Sequence, residues 1–174
     1  MKKLTIFHLL TSSTFLHEWF HAKVLRNIGG GDKVFIVLGV HNEDRGKRLI
    51  ETNLLENEAY QCCTFDGFAV YKRKDKMNMG FGRADVDDRS VLDKELVKKA
   101  LISPLVFGTI ISTVSLIIFI LTFFYVTLVS LNFLFLSIIS TYFFILGILC
   151  AIGFFGGTNS DYMRWRNPAL YTEH

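Results

Sequence analysis

From Ala100 to Ser160 the sequence contains no Asp, Glu, Lys or Arg, a gap of 61 residues in a chain of 174. That absence excludes an ordinary soluble domain over this stretch, and the 51% hydrophobic composition agrees. One bilayer crossing takes roughly 20 residues, so the gap holds two apolar helices and a turn, whereas three crossings would each be too short. The turn falls near Ser130 to Asn132, which predicts helices over 104–127 and 133–156.

Other shortages narrow the class further. There are only three cysteines, an odd number that argues against a disulfide framework, and Cys62, Cys63 and Cys150 read as packing residues. Net charge is only +3, and the segment 29–99 balances 13 Lys and Arg against 13 Asp and Glu, so nothing points to a nucleic-acid partner. The run Tyr71-Lys72-Arg73-Lys74-Asp75-Lys76 reads as a solvated loop edge, with anionic lipid headgroups as the alternative. No internal repeat or low-complexity linker is present. No small-x-small site follows the apolar run that starts after Met1-Lys2-Lys3, which disfavours a signal peptide.

What is there begins with that first segment, a helix expected over 4–26. It has spanning length but carries His8, Thr11, Ser12, Ser13, Thr14, His17, Glu18 and His21, so it cannot simply face lipid. The expected architecture is one α-helical integral membrane domain over 1–174: three transmembrane helices, a small β-containing cytoplasmic insertion over 29–99, and a cytoplasmic tail over 161–174. Lys23, Arg26, Lys33, Lys94, Lys98, Lys99, Arg164 and Arg166 lie on the insertion and tail side against Lys2 and Lys3 on the other, which assigns that side to the cytoplasm. Within the insertion, Lys33 to Val40 reads as a strand, Arg45 to Ala59 as a weak helix, and Tyr60 to Tyr71 as a hairpin turning at Asp66-Gly67. Gly80-Phe81-Gly82 reads as another turn or edge, and Asp87 to Lys99 as a helix leading into the second span.

His17-Glu18-Trp19-Phe20-His21 is a His-Glu-x-x-His pattern. On a helix, residues four apart share a face, so both imidazoles can bind one Zn²⁺ while Glu18 reaches a metal-bound water. The alternative is a polar helix face satisfied by neighbouring helices. A catalytic zinc needs a third protein ligand and an open position. Asp161 is the first charge after the apolar stretch and, with an even number of crossings between, returns to the side of the membrane where His17 and His21 lie. Its alternative is a plain interfacial carboxylate. His8 is about 14 Å or more away along the helix axis, too far to share the ion, and His41 and His174 are loop or tail residues. Asn159 is a candidate donor to a substrate carbonyl, with a turn cap as the competing role. The hydroxyls of Thr11, Ser12, Ser13 and Thr14 offer a hydrated route to the site, or else bond within their own helix.

A first helix bearing His17-Glu18-x-x-His21, a β-containing insertion, Lys98-Lys99-Ala100-Leu101-Ile102-Ser103-Pro104-Leu105 opening an apolar helix, and a late Asp161 together resemble the site-2-protease family of intramembrane zinc metalloproteases. The resemblance implies a three-helix catalytic core, zinc held by two histidines and an aspartate, and hydrolysis of a peptide bond in or near a membrane-spanning substrate segment. The chain departs from the family's usual pattern at Ser103-Pro104, where Gly-Pro is common, and at Asp161, which is followed by Tyr162 instead of glycine and lacks the usual preceding proline. An extended substrate would pair with a strand edge from Lys33–Val40 or the hairpin. Competing readings are a non-catalytic membrane metal-binding or client-binding adaptor, and a membrane-anchored peptidase that processes small exported peptides.

Overall fold

The computed structural model describes residues 2–30, 33–40, 49–74, 82–87, 92–125, 131–155 and 160–167, with side chains in the first helix from residue 12 onward. Helix α1 (Lys2–Leu25) leads through a wide turn into strand β1 (Val34–Leu38), short helix α2 (Glu51–Glu56), and strands β2 (Tyr60–Phe65), β3 (Phe68–Arg73) and β4 (Gly82–Val86). Two long helices follow, α3 (Lys94–Tyr125) and α4 (Leu131–Gly153), then a short α5 (Asp161–Arg166).

The sheet order is β2-β3-β1-β4, with β1 parallel to β3 and antiparallel to β4. In β1, Val34 and Ile36 pack with Ala22 and Leu25 of α1 and with Val97, Ala100 and Leu101 of α3, while Phe35 and Val37 face Leu54 of α2 and Tyr71. Burial on both faces explains why Val-Phe-Ile-Val-Leu is continuously apolar instead of alternating. A strand in that position has both edges paired, so β1 offers no free edge; among the described strands, β2 and β4 lie at the edges of the sheet. The expected Asp-Gly hairpin is present, and Asp66 (φ 51°) and Gly67 (φ 76°) both take the positive φ that a two-residue hairpin turn requires.

Several boundaries differ from expectation. Only Glu51–Glu56 is helical within Arg45–Ala59, residues 45–48 lying outside the described set. The helix expected from Asp87 starts at Lys94, where the Asp93 carboxylate accepts the Glu95 N–H at 2.8 Å, and it continues through Pro104 to Tyr125 without a break. The expected turn at Ser130 falls partly outside the described residues. The segment expected as a plain tail opens with α5. Cys62 and Cys63 are exposed on β2, so of the three cysteines only Cys150 packs inside.

Among the described residues, two helices are long and apolar enough to cross a membrane, Lys94–Phe124 and Asn132–Gly153. Large apolar side chains along both point outward, among them Ile117, Phe124, Phe135 and Ile138, far more surface than a soluble monomer exposes. Helix α1 has the length but not the composition: Ser13, His17, Glu18 and His21 are buried against the rest of the protein. Helices α3 and α4 run antiparallel and touch backbone to backbone, since a Cβ on Gly108 would lie 2.6 Å from the Gly147 carbonyl oxygen and 2.8 Å from the Ala151 nitrogen. Gly108→Val is expected to lower the thermal midpoint of the purified protein in detergent, overpacking of this kind costing about 1–3 kcal/mol. An unchanged midpoint would mean that the helices do not cross there.

The hairpin tip docks on α1. Asp66 takes Lys23 Nζ at 2.6 Å and the Trp19 indole N–H at 2.9 Å, and Arg26 donates to its carbonyl at 3.2 Å while lying 3.4 Å above the Phe68 ring. Hydrogen bonds from Lys23 and then Trp19 lower the Asp66 carboxyl from its ordinary value of 3.8. A depressed carboxylate contributes above its ordinary value and loses that contribution as pH falls through the lowered one. Trp19 fluorescence, read in a Trp165→Phe background, should therefore change as pH drops below about 4. The same protein carrying Asp66→Asn should show no such step; a step that persists would assign it to another group.

Candidate metal centre

The site is assembled where three helix ends meet. His17 and His21 are one turn apart on α1 and both are buried. Each Nδ1 is held by a main-chain carbonyl that a helix irregularity has released. In an α-helix the Ala100 carbonyl would accept the N–H of residue 104, but Pro104 has none. That oxygen instead accepts from Ser103 Oγ at 2.7 Å and from His21 Nδ1 at 2.7 Å. At the end of α4 the Phe154 N–H turns to Ala151 at 3.2 Å, leaving the Cys150 carbonyl for His17 Nδ1 at 2.9 Å. Close passage of α4 over the ring needs Gly153, where a Cβ would sit 2.9 Å from His17 Nδ1.

A carbonyl oxygen only accepts, so each Nδ1 carries the proton and each neutral ring presents its Nε2 lone pair inward. Those two nitrogens lie 3.2 Å apart, and Asp161 Oδ2 lies 2.7 Å from His17 Nε2 and 2.9 Å from His21 Nε2. Three converging acceptors repel one another unless a proton or a cation sits between them. Ligands at about 2.0–2.1 Å around a tetrahedral ion stand about 3.3 Å apart, close to the observed spacing. His17, His21 and Asp161 can therefore hold a metal ion, and their ligand atoms all lie within 4.8 Å of one another.

Asp161 reaches the histidines because α5 folds back on α4. Ser160 caps α5 by accepting the Met163 N–H at 3.4 Å, the Tyr162 N–H donates to the Phe154 carbonyl at 3.0 Å, and the Tyr162 ring lies against Phe154 and Phe155. Tyr162 thus works as the anchor that fixes its neighbour.

Glu18 is buried beside the histidines, and its Oε2 accepts the Ala84 N–H of edge strand β4 at 2.7 Å. The strand presses on it through Gly82, where a Cβ would fall 2.5 Å from Glu18 Cγ. Glu18, His21 and Asp161 share a cavity with Ala84, Arg83 and Arg164. It leaves about 30 Å³ for the centre of a water molecule, room for two or three waters, each needing about 10–15 Å³.

Asn159, His41 and His174 lie outside the described residues. Ser13 is buried and Ser12 and Thr14 are half-buried, and the side chains of His8 and Thr11 lie outside the described set. Sequence reading missed Arg164, although its spacing of three from Asp161 puts both on one helical face. It also missed the carbonyls of Ala100, for which Pro104 was the available signal, and of Cys150, for which there was none.

Metal analysis of purified protein is expected to find about one divalent ion per chain, falling to a small fraction in His21→Ala and in Asp161→Ala. Full occupancy in either variant would remove that residue from the ligand set.

Comparison with protein-family models, curated proteins and solved structures returned no match. The centre is thus defined by its own geometry: two buried imidazole nitrogens and a part-buried carboxylate oxygen, from helices far apart in sequence, aimed at one point.

Proposed function

We propose that this chain is a zinc metallopeptidase of the site-2-protease type, cutting a peptide bond in or near a membrane-spanning substrate segment. One observation carries the reading: Glu18 lines the same water-sized cavity as His21 and Asp161, so a carboxylate base stands beside the open side of the ligand set. A structural ion would need no such base and no such opening.

Two histidines and a carboxylate suit zinc, which when bound lowers the pKa of a water toward about 7 and polarises a carbonyl. Glu18 takes the proton as water adds to the carbonyl carbon and delivers it to the departing amine. Its Oε2 accepts the Ala84 N–H, and the second carboxylate oxygen can take the proton while that bond holds. An extended substrate backbone pairing with edge strand β4 would compete for that N–H. The cavity as it stands has room for only a few waters, so a substrate peptide needs it to widen.

In this reading α1 joins α3 and α4 as a third crossing. Its polar face is turned into the protein, and the insertion and α5 lie toward the cytoplasm, where the flanking Lys and Arg residues belong. The partners are the lipid bilayer and a membrane protein or peptide substrate. The bond between Glu18 and Ala84 also fits a second reading, a non-catalytic metal-binding or client-binding adaptor in which Glu18 only clamps the sheet.

Glu18→Gln decides between them. It should retain metal while cleavage of a membrane-tethered substrate falls by about 10²–10⁴, the usual worth of a general base. Retained turnover would exclude Glu18 as the base. Cleavage of a soluble peptide at the tethered rate would instead favour a membrane-anchored peptidase.

A further inference from the structure

Besides Glu18, His21 and Asp161, the cavity is lined by two arginines. Arg83 is paired, its Nε lying 3.2 Å from Oδ2 of the fully buried Asp85. Arg164 is half-buried and makes no side-chain hydrogen bond or ion pair among the described residues. It stands one turn beyond Asp161 on α5, so whatever fixes the aspartate fixes the arginine as well.

The charge balance gives this placement meaning. With a divalent ion on the ligand set, the carboxylates of Asp161 and Glu18 neutralise it, and Arg83 and Asp85 neutralise each other. Arg164 then leaves one uncompensated positive charge in a space of water size. Such a site favours an anionic oxygen.

We propose that Arg164 is the oxyanion-binding group of this cavity, a catalytic residue in its own right; this rests on the peptidase reading above. As the water oxygen bonds to the carbonyl carbon, the water's proton passes to Glu18 and the carbonyl π pair moves onto its oxygen, where the guanidinium receives the charge. Collapse returns that pair to the carbonyl, breaks the C–N bond, and sends the proton from Glu18 to the amine.

The test loads the full chain in detergent with cobalt(II) and titrates it with formate, an oxygen anion small enough for the cavity, following the visible absorption of the ion. Formate affinity should fall roughly ten- to a hundredfold in Arg164→Gln at equal cobalt content, the loss expected for one charge-assisted hydrogen bond. Arg164→Lys should recover part of it. Neutral formamide should bind wild type and both variants alike, and Arg166→Gln, an exposed charge on the same helix, should match wild type. Equal formate affinity in wild type and Arg164→Gln overturns the proposal. So does an equal loss in Arg166→Gln, which would indicate a long-range field. Should Arg164→Gln not fold, Arg164→Lys with wild-type affinity for formate and weakened binding of formamide would equally sink it. No cobalt uptake by wild type would bring down both this inference and the metallopeptidase reading. An Arg164-dependent anion site in a protein that cuts no tethered peptide would bring down only the latter.

Discussion

The arrangement rests on two hydrogen bonds, from His17 Nδ1 to the Cys150 carbonyl and from His21 Nδ1 to the Ala100 carbonyl. Each consumes the proton of a ring and leaves its second nitrogen as a lone pair facing inward. Neither carbonyl would be available in an uninterrupted helix. Pro104 frees one by lacking an N–H, and the end of α4 at Gly153 frees the other. Helix irregularities that would cost stability elsewhere here become the orienting partners of a metal-capable site. The same two bonds also tie α1 to α3 and α4.

The insertion does more than fill the chain between helices. Its sheet packs one face on α1 and α3, and its edge strand supplies the donor that holds Glu18, while the hairpin tip grips α1 through Asp66. Three contacts therefore fix the rotation of α1 about its axis: the imidazole bonds, the Glu18 bond and the tip. That rotation decides whether the polar stripe of α1 faces the site or the surroundings, and with buried charge at stake the alternative orientation is heavily penalised.

Much of the local organisation was legible. The Asp66-Gly67 turn followed from residues that tolerate positive φ, and the two apolar helices from a stretch without charge, to within a few residues at their C-terminal ends. The start of α3 was not legible, because the apolar periodicity of Val91, Leu92, Leu96 and Val97 runs past the Asp93 cap that sets the first turn. Sheet order was equally hidden: β1 reads as any apolar strand, and that it lies between β3 and β4 depends on pairings made at long range.

The pairing of His17 and His21 on one helical face was determined by the sequence alone, since a spacing of four and a helical backbone leave no other geometry. So was the return of Asp161 to the same end of the apolar pair, through the length of the uncharged run. Only the tertiary structure decided that these groups meet within coordinating distance, which carbonyls orient the rings, and that Arg164 shares their cavity. Those outcomes depend on helix ends packing to within a fraction of an ångström, through Gly153 against His17 and Tyr162 against Phe154. The contacts of His17 with Cys150, Gly153 and Asp161 join residues more than a hundred positions apart and leave no periodic trace in the sequence.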